Sequence, residues 1–186
     1  MATTLAQVMT VDEFERLPET DRKFELDDGV LVEVEMAPAE HELAKAELTM
    51  LLAKSLPKGF LVLPEAMNRL GARTTRVPDL AIWRESDLRK MDPERTIVGG
   101  PLIAIEVVSS ETAEALDKTT QQYFAAGTKI VWTVYPKTRA VVIKRPDGST
   151  RLGLGGTLEA RGLLPGLKIP VASVFALLEK EKRDKH

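Results

Sequence analysis

Two short segments of this chain read as strands that are apolar on both faces, and each contains a single carboxylate. They are RVPDLAIW at 76–83 and PLIAIEVVS at 101–109. Strand side chains alternate between the two faces of a sheet, so such strands need cover on both sides. That requirement predicts a sheet centre with helices packed above and below, which is an α/β arrangement.

The rest of the chain supplies the helices and further strands that this arrangement needs. Residues 40–55 and 112–126 have helical spacing of apolar side chains, and Gly127 is the expected C-cap of the second helix. A DDG turn between two alternating runs predicts an N-terminal hairpin. The remaining expected elements are a short helix at 11–20 that stops at Pro18, strands in FLVLPEAMNRL, KIVWTVYP and AVVIKRPDG, and a loop or short helix at 84–100.

The order of these elements predicts an α/β fold with a mixed sheet, an N-terminal hairpin and an extra C-terminal hairpin. With 186 residues, the chain is expected to form one domain, 1–186. Within it we expect an N-terminal helix and hairpin (1–40), a core (41–145), a C-terminal extension (146–178) and a charged tail (179–186).

Composition excludes several classes of function. The chain has no cysteine, which excludes disulfides and Cys-based zinc sites. No apolar run reaches the roughly 18 residues that span a bilayer, and the first residues do not resemble a signal peptide, so we expect a cytoplasmic protein without a membrane partner.

The formal net charge of −2 means that nucleic-acid binding would need a local basic patch. Two sets of cations could form one, with scattered surface charge as the alternative for both. They are Arg69, Arg73 and Arg76, and Lys144, Arg145 and Arg151.

Glu106 stands in the middle of the second apolar strand. In LIAIEVV it shares a face with Leu102, Ala104 and Val108, so burial is expected. A buried carboxylate without a partner costs several kcal/mol. Glu106 is therefore either a core residue paired with an arginine or backbone amide, or a metal ligand or acid–base group.

Asp79 repeats this pattern at the mouth of the first apolar strand. Pro78 before it favours the start or edge of a strand, so a turn-capping role is the alternative for Asp79 alone. Inward carboxylates on two consecutive strands are a suitable cage for Mg²⁺, which takes one or two carboxylates plus water and phosphate oxygens. Such an ion assists displacement at phosphorus.

A PD at the start of one strand, a Glu in the next strand and a helix after it resemble the PD-(D/E)XK nuclease superfamily. The resemblance is closer to its Uma2 (DUF820) family of restriction endonuclease-like proteins, common in cyanobacteria and other bacteria. The supporting segments run in order through most of the chain: FELDDGVLVEV, APAEHELAKAEL, RVPDLAIW, IAIEVVSSETA, YFAAGTKIVWTVYPKTRAVVIKRPDG and LPGLKIPVASVF.

This resemblance implies a restriction-endonuclease-like core with the order α-β-β-β-α-β. It implies hydrolysis of DNA phosphodiester bonds with Mg²⁺ or Mn²⁺, with Asp79, Glu106 and the carbonyl of Val107 as metal ligands. It also implies His41 near the site, although a histidine at the start of a buried helix face can be structural. A homodimer is a further expectation, because two sites favour cutting both strands.

The chain departs from the superfamily where its lysine is expected. The Glu-x-Lys position is Val108, and the Uma2 position on the next helix, four residues before Tyr123, is Thr119. The nearest lysine is Lys118, which in a regular helix lies about 160° from Leu116 on the sheet-facing side. An irregular helix start could bring Lys118 into the site as a catalytic group, Gln122 could replace it, or the site could be weak or inactive.

Three functions are therefore open. The first is a Mg²⁺-dependent DNA endonuclease. The second is a degenerate nuclease fold that binds nucleic acid or protein without turnover, as the missing lysine suggests. The third is a metal-dependent hydrolase of small phosphoesters.

Overall fold

A computed structural model of the chain describes residues 8–34 and 36–183. In chain order its elements are α1 (Val11–Phe14), β1 (Phe24–Asp27), β2 (Val30–Glu33), α2 (Ala39–Ser55), β3 (Phe60–Pro64), β4 (Asn68–Gly71), β5 (Thr74–Arg76), β6 (Leu80–Arg84), α3 (Glu85–Leu88), β7 (Ile97–Val98), β8 (Ile103–Val107), α4 (Ala113–Ala125), β9 (Ile130–Tyr135), β10 (Ala140–Arg145), β11 (Gly148–Leu152), β12 (Thr157–Ala160), β13 (Leu164–Pro170), α5 (Val171–Val174) and α6 (Ala176–Arg183).

The central sheet has six strands in the order β11-β10-β9-β8-β6-β3. Only the β8–β9 pair is parallel within this sheet, so the sheet is mixed, as the sequence predicts. Apart from the short elements β4, β5, α3 and β7, which lie outside the central sheet, the chain from α2 runs α2, β3, β6, β8, α4 and β9. This is the order α-β-β-β-α-β of the predicted core.

Both faces of β6 and β8 are covered. On one face, Leu48 and Leu52 of α2 join the large core cluster, which also contains Ile103 and Ile105. On the other face, Tyr123 of α4 packs with Ala104 and Val131. This two-sided burial explains why the two strands are apolar on both faces.

The N-terminal hairpin pairs β1 with β2 antiparallel around Asp28 and Gly29, whose φ angles are 51° and 91°. Two consecutive positive φ angles are typical of the tight hairpin turn that an Asp-Gly pair favours. A hydrogen bond of 2.8 Å from the Leu26 amide to Thr75 Oγ1 joins the hairpin to β5. The hairpin lies beside the ends of β6 and β8 because β5 leads directly into β6.

Several elements differ from the prediction. FLVLPEAMNRL forms two strands, because Glu65 takes a positive φ of 48° and redirects the chain into β4. RVPDLAIW likewise divides into β5 and β6, with Asp79 in the connection that contains Pro78. Strand β11 was not predicted, and β7 lies within 84–100, where a loop or short helix was expected.

Both chain ends also differ in detail. Helix α1 is shorter than the expected 11–20, and its N-terminus has a capping box between Thr10 and Glu13. Helix α6 continues to Arg183, so most of the expected charged tail, 179–186, is helical, and residues 184–186 lie outside the described residues. No helix in the described part of the chain is long and apolar enough to cross a membrane.

Candidate active site

Asp79 and Glu106 face each other at one end of the central sheet. The β6–β8 register pairs Leu80 with Ile105, and continuing it by one residue places Asp79 opposite Glu106. Opposed residues of an antiparallel pair project from the same face at about 5 Å. The two carboxylates that the sequence singles out are therefore brought together by strand register.

Asp79 is held by two donors. Its Oδ2 accepts a hydrogen bond of 2.7 Å from the backbone amide of Val107. His41, in the first turn of α2, places Nε2 at 3.1 Å from Oδ1. Burial lowers the pKa of His41, but its hydrogen bond to Asp79 and the charge of Asp79 outweigh burial and raise it. The structure therefore brings His41 into direct contact with Asp79, and the imidazolium is stabilised there.

Glu106 is half-buried, like Asp79, and the side chain that donates to it is Tyr123. The Tyr123 hydroxyl donates a hydrogen bond of 2.7 Å to Oε1. Burial raises the pKa of Glu106 well above 4.5, and the negative charge of Asp79 raises it further. Burial and the charge of Glu106 raise the pKa of Tyr123, so the Tyr123 hydroxyl stays a neutral donor. Burial and Asp79 therefore disfavour the ionised form of Glu106, and a cation bound between the two carboxylates would favour it.

A cleft of about 1010 Å³ opens over these carboxylates. His41 and Lys45 of α2 line one side of it, and Thr119 of α4 lines another. Val32 and Val34 of the hairpin segment form a third side. The cleft therefore lies where α2, α4 and the hairpin meet at the end of the sheet.

Lys118 does not reach these carboxylates. Its ammonium lies 2.8 Å from Asp27 and 3.0 Å from Asp28, in the turn of the N-terminal hairpin. Gln122 also donates to Asp27, at 2.8 Å. Helix α4 is regular here, so Lys118 points away from the face that carries Tyr123. The structure therefore assigns both side chains to the hairpin contact, and neither takes the place of the missing lysine.

We expect Lys118→Ala to lower the free energy of unfolding by about 0.2–1 kcal/mol, because its ion pairs are half exposed. Any DNA cleavage should change by less than about twofold, since the ammonium does not contact the carboxylates. Urea titration and a cleavage assay on the same samples check both values. A loss of cleavage by an order of magnitude without destabilisation would contradict this placement.

Sequence reasoning missed a buried charge network beneath the cleft. Arg76 is 5% exposed and binds Glu25 at 3.1 Å and Asp27 at 2.6 Å. Glu25 also accepts a hydrogen bond of 2.6 Å from the amide of Val77. These contacts fix the connection that carries Asp79, and they remove Arg76 from the basic patch predicted for DNA. No spacing in the sequence links Glu25 to a residue 51 positions later.

The other predicted cations are also largely engaged. Arg69 binds Asp12 at 2.6 Å. Lys144 donates to Thr120 at 3.1 Å, and Arg151 lies over the ring of Tyr135. Of the cations in the two predicted patches, all of them within the described residues, Arg76 alone lines the cleft over the carboxylates.

A second missed group is the ion-pair cluster of Lys23, Lys45 and Glu65 on the cleft wall. Lys45 lies 2.7 Å from Glu65 and 2.8 Å from Glu42, and its side chain is only 12% exposed. Lys23 also binds Glu65. The hydrogen bonds from Lys23 and Lys45 lower the pKa of Glu65 from 4.5 to about 2.

This shift predicts a contribution of Glu65 to stability that depends on pH. The folded-state pKa is below the ordinary value, so the stabilisation is complete above about pH 4.5 and is lost as the pH falls towards 2. Glu65→Gln should flatten the decline of the unfolding free energy in this window, measured by urea titration at several pH values. The exposed Glu94→Gln is the control, and an equal flattening in both variants would contradict the assignment.

The side chains that could bind a metal here suit a hard cation that takes few ligands from the protein. Among residues 8–34 and 36–183, no group of three or more His, Asp or Glu side chains is placed to hold a metal ion. Asp79 and Glu106 instead form a facing pair of carboxylates, and burial and Asp79 disfavour the ionised form of Glu106. Two carboxylates fit Mg²⁺, which completes its octahedron with water and phosphate oxygens.

Comparison with known proteins agrees with this arrangement. The Uma2 family model, described as "Putative restriction endonuclease", matches residues 11–172. A similar solved structure is that of "a putative nuclease belonging to DUF820 from Anabaena variabilis ATCC 29413". It is 20% identical, with a TM-score of 0.79 over 91% of this chain and 99% of the other, so the likeness shows the fold. No curated protein matches the chain. Since the family match spans most of the sequence and the fold agrees, the chain belongs to the Uma2 family of restriction endonuclease-like proteins.

Proposed function

We propose that this Uma2 protein is an endonuclease that hydrolyses DNA phosphodiester bonds with Mg²⁺ or Mn²⁺. The observation that supports this most directly is the opposition of Asp79 and Glu106 at the end of two central strands. Burial and the charge of Asp79 raise the pKa of Glu106, so its ionised form is disfavoured until a cation is bound. Two carboxylates in a cleft are also the protein's share of many phosphate-bound Mg²⁺ sites.

Asp79 and Glu106 would hold the ion, and the carbonyl of Val107 is proposed as a further oxygen ligand. Val107 lines the cleft and its amide already fixes Asp79. A bound Mg²⁺ would neutralise charge on the phosphate and lower the pKa of water.

The surrounding side chains would keep this arrangement rigid. His41 orients Asp79 from α2, and Tyr123 orients Glu106 from α4. The contact with Asp79 favours a protonated His41, whose other ring nitrogen lies 3.2 Å from Glu42, so this side chain would hold a proton beside the reacting group. Positioning of this kind is a large part of catalysis in phosphoryl transfer.

The test is cleavage of supercoiled plasmid and single-stranded DNA in Mg²⁺, in Mn²⁺ and in EDTA. Cleavage that requires the divalent ion supports the proposal, and equal cleavage in EDTA refutes it. Calorimetric titration with Mn²⁺ gives an independent readout, because binding should weaken when either carboxylate is removed. A panel of small phosphoesters separates a DNA endonuclease from a general phosphoester hydrolase.

A second candidate is a nuclease fold that binds nucleic acid or protein without turnover. The observation that favours it is the position of Lys118, whose ammonium is bound to Asp27 and Asp28. It predicts DNA binding in the same assays without product. Robust cleavage by the wild-type protein would reject it.

A homodimer stays a prediction, motivated by the need to cut both strands of a duplex. Sedimentation analysis of the full chain tests it.

A further inference from the structure

The strand β2 and the segment after it expose an unusual run of apolar side chains. Val32 and Val34 are 42% and 40% exposed, and Met36 is 99% exposed. Among the described residues β2 pairs only with β1, so its outer edge is open as well. These three side chains occupy alternate positions of one extended segment and so share a face, and an exposed apolar face of this kind can mark a binding site.

This apolar run forms part of the candidate active site. Val32, Val34 and Met36 all line the cleft that contains Asp79 and Glu106. The cleft therefore has carboxylates at its floor and an aliphatic wall on the hairpin side. A ligand that fills it needs an anionic or metal-binding group and an apolar surface a short distance apart.

The charges of the cleft disfavour a ligand held by many phosphates. Among the described residues that line it, Asp and Glu outnumber Lys and Arg two to one. These cations are engaged in ion pairs: Arg22 with Glu33, Lys23 with Glu65, Lys45 with Glu42 and Glu65, and Arg76 with Glu25. Duplex binding depends on a row of Lys and Arg that neutralise the backbone. Because the Lys and Arg side chains of this cleft are already paired with carboxylates, they offer little neutralisation of a duplex backbone.

We propose that the site takes an unpaired strand of DNA, with one phosphate at the carboxylates and the flanking bases against the wall of Val32, Val34 and Met36. This inference rests on the proposed function and names its substrate class. A duplex hides the faces of its bases in the stack, whereas an unpaired strand presents them beside the phosphate. Aliphatic side chains, including Met, contact bases in this way when steps are unstacked. Met36 is unbranched and flexible, so it can adapt to different bases.

A second copy of the chain is the rival occupant, since an open strand edge can pair with its symmetry mate. An unpaired DNA strand is favoured as the occupant because the apolar side chains line the cleft itself. Burying them in a dimer would also cover the approach to Asp79 and Glu106.

The test is fluorescence anisotropy with three labelled probes of equal length: a mixed-sequence single strand, its duplex, and an abasic single strand. Every sample contains Ca²⁺ in place of Mg²⁺, because Ca²⁺ also takes oxygen ligands, and gel electrophoresis of the recovered probes checks that the DNA is intact. The single strand should bind about tenfold more tightly than the duplex or the abasic strand. Met36→Ser and Val34→Ser should each weaken binding of the single strand by about fivefold and leave the abasic strand unchanged.

Met50→Ser is the matched control, because Met50 is exposed on α2 and does not line the cleft. The inference is overturned if the single strand does not bind, if it binds no better than the abasic strand, or if Met36→Ser and Met50→Ser behave alike. A Met36→Ser variant that changes only the sedimentation coefficient would instead assign the wall to a second copy. Failure of the wild-type protein to cleave DNA sinks the proposed function, whereas these binding outcomes concern the wall alone.

Discussion

Replacing Asp79 by Asn is expected to reduce divalent-dependent DNA cleavage by about 10³-fold, since one of two charged ligands of the cation is lost. Asn has nearly the same shape as Asp, and its amide oxygen can still accept the hydrogen bond from Val107. The fold should therefore be retained, and the loss should arise from charge. Mn²⁺ binding, measured by calorimetry, should weaken in parallel.

The control for this variant is Asp117→Asn, which removes the same charge from the exposed side of α4. Asp117→Asn should cleave DNA at the wild-type rate, and thermal unfolding of both variants should resemble that of the wild type. Equal activity of Asp79→Asn and wild type would refute the assignment of Asp79. A matched loss in Asp117→Asn would show that the effect is one of net charge.

The central strands and their two carboxylates could be predicted because they depend on local pattern. Burial on both faces leaves a continuous apolar run in the sequence, and a single acid within that run is conspicuous. Adjacent strands then bring Asp79 and Glu106 together through register alone. The prediction of His41 near them came from the family resemblance, because a histidine at the start of the buried face of α2 can also be structural.

The charge network and the apolar wall could not be predicted, because they depend on contacts between distant parts of the chain. From the sequence, Arg76 is expected to be a surface cation. In the structure the hairpin covers it and supplies Glu25 and Asp27 as its partners. Val32 and Val34 lie on one apolar face of the hairpin by alternation, which does not reveal that β2 is exposed and that these side chains line the cleft. Alternation in a strand gives the two faces but not which one is covered.

The missing lysine could be predicted in part from local pattern, and in part it depends on contacts between distant parts of the chain. Helical geometry predicts that position 119 points nearer to the sheet than position 118, and the structure agrees: Thr119 lines the cleft and Lys118 binds the hairpin turn. The chain therefore lacks an ammonium on this side of the carboxylates. Of the two lysines on the cleft wall, Lys45 comes from α2 and is bound to Glu42 and Glu65, and Lys23 is bound to Glu65.

Thr119→Lys should therefore raise divalent-dependent cleavage by about 10²-fold, the scale of a well-placed proton donor or acceptor. The cleft has room for the longer side chain, and the new ammonium would stand on the same side of α4 as Tyr123. It should also lower the pKa of Glu106, because a nearby positive charge favours the carboxylate. Initial rates of plasmid nicking measure the first effect, and the pH dependence of those rates measures the second.

Gln121→Lys is the matched control, since it adds the same charge to α4 at an exposed position that does not line the cleft. A gain in Thr119→Lys that Gln121→Lys lacks would show that position 119 addresses the carboxylates. Equal gains would indicate general attraction of DNA by added charge, which should then disappear at high salt. If Thr119→Lys binds DNA and Mn²⁺ as the wild type does but cleaves no faster, the lysine is not what the site lacks. The reaction would then have to rely on His41 and the two carboxylates alone.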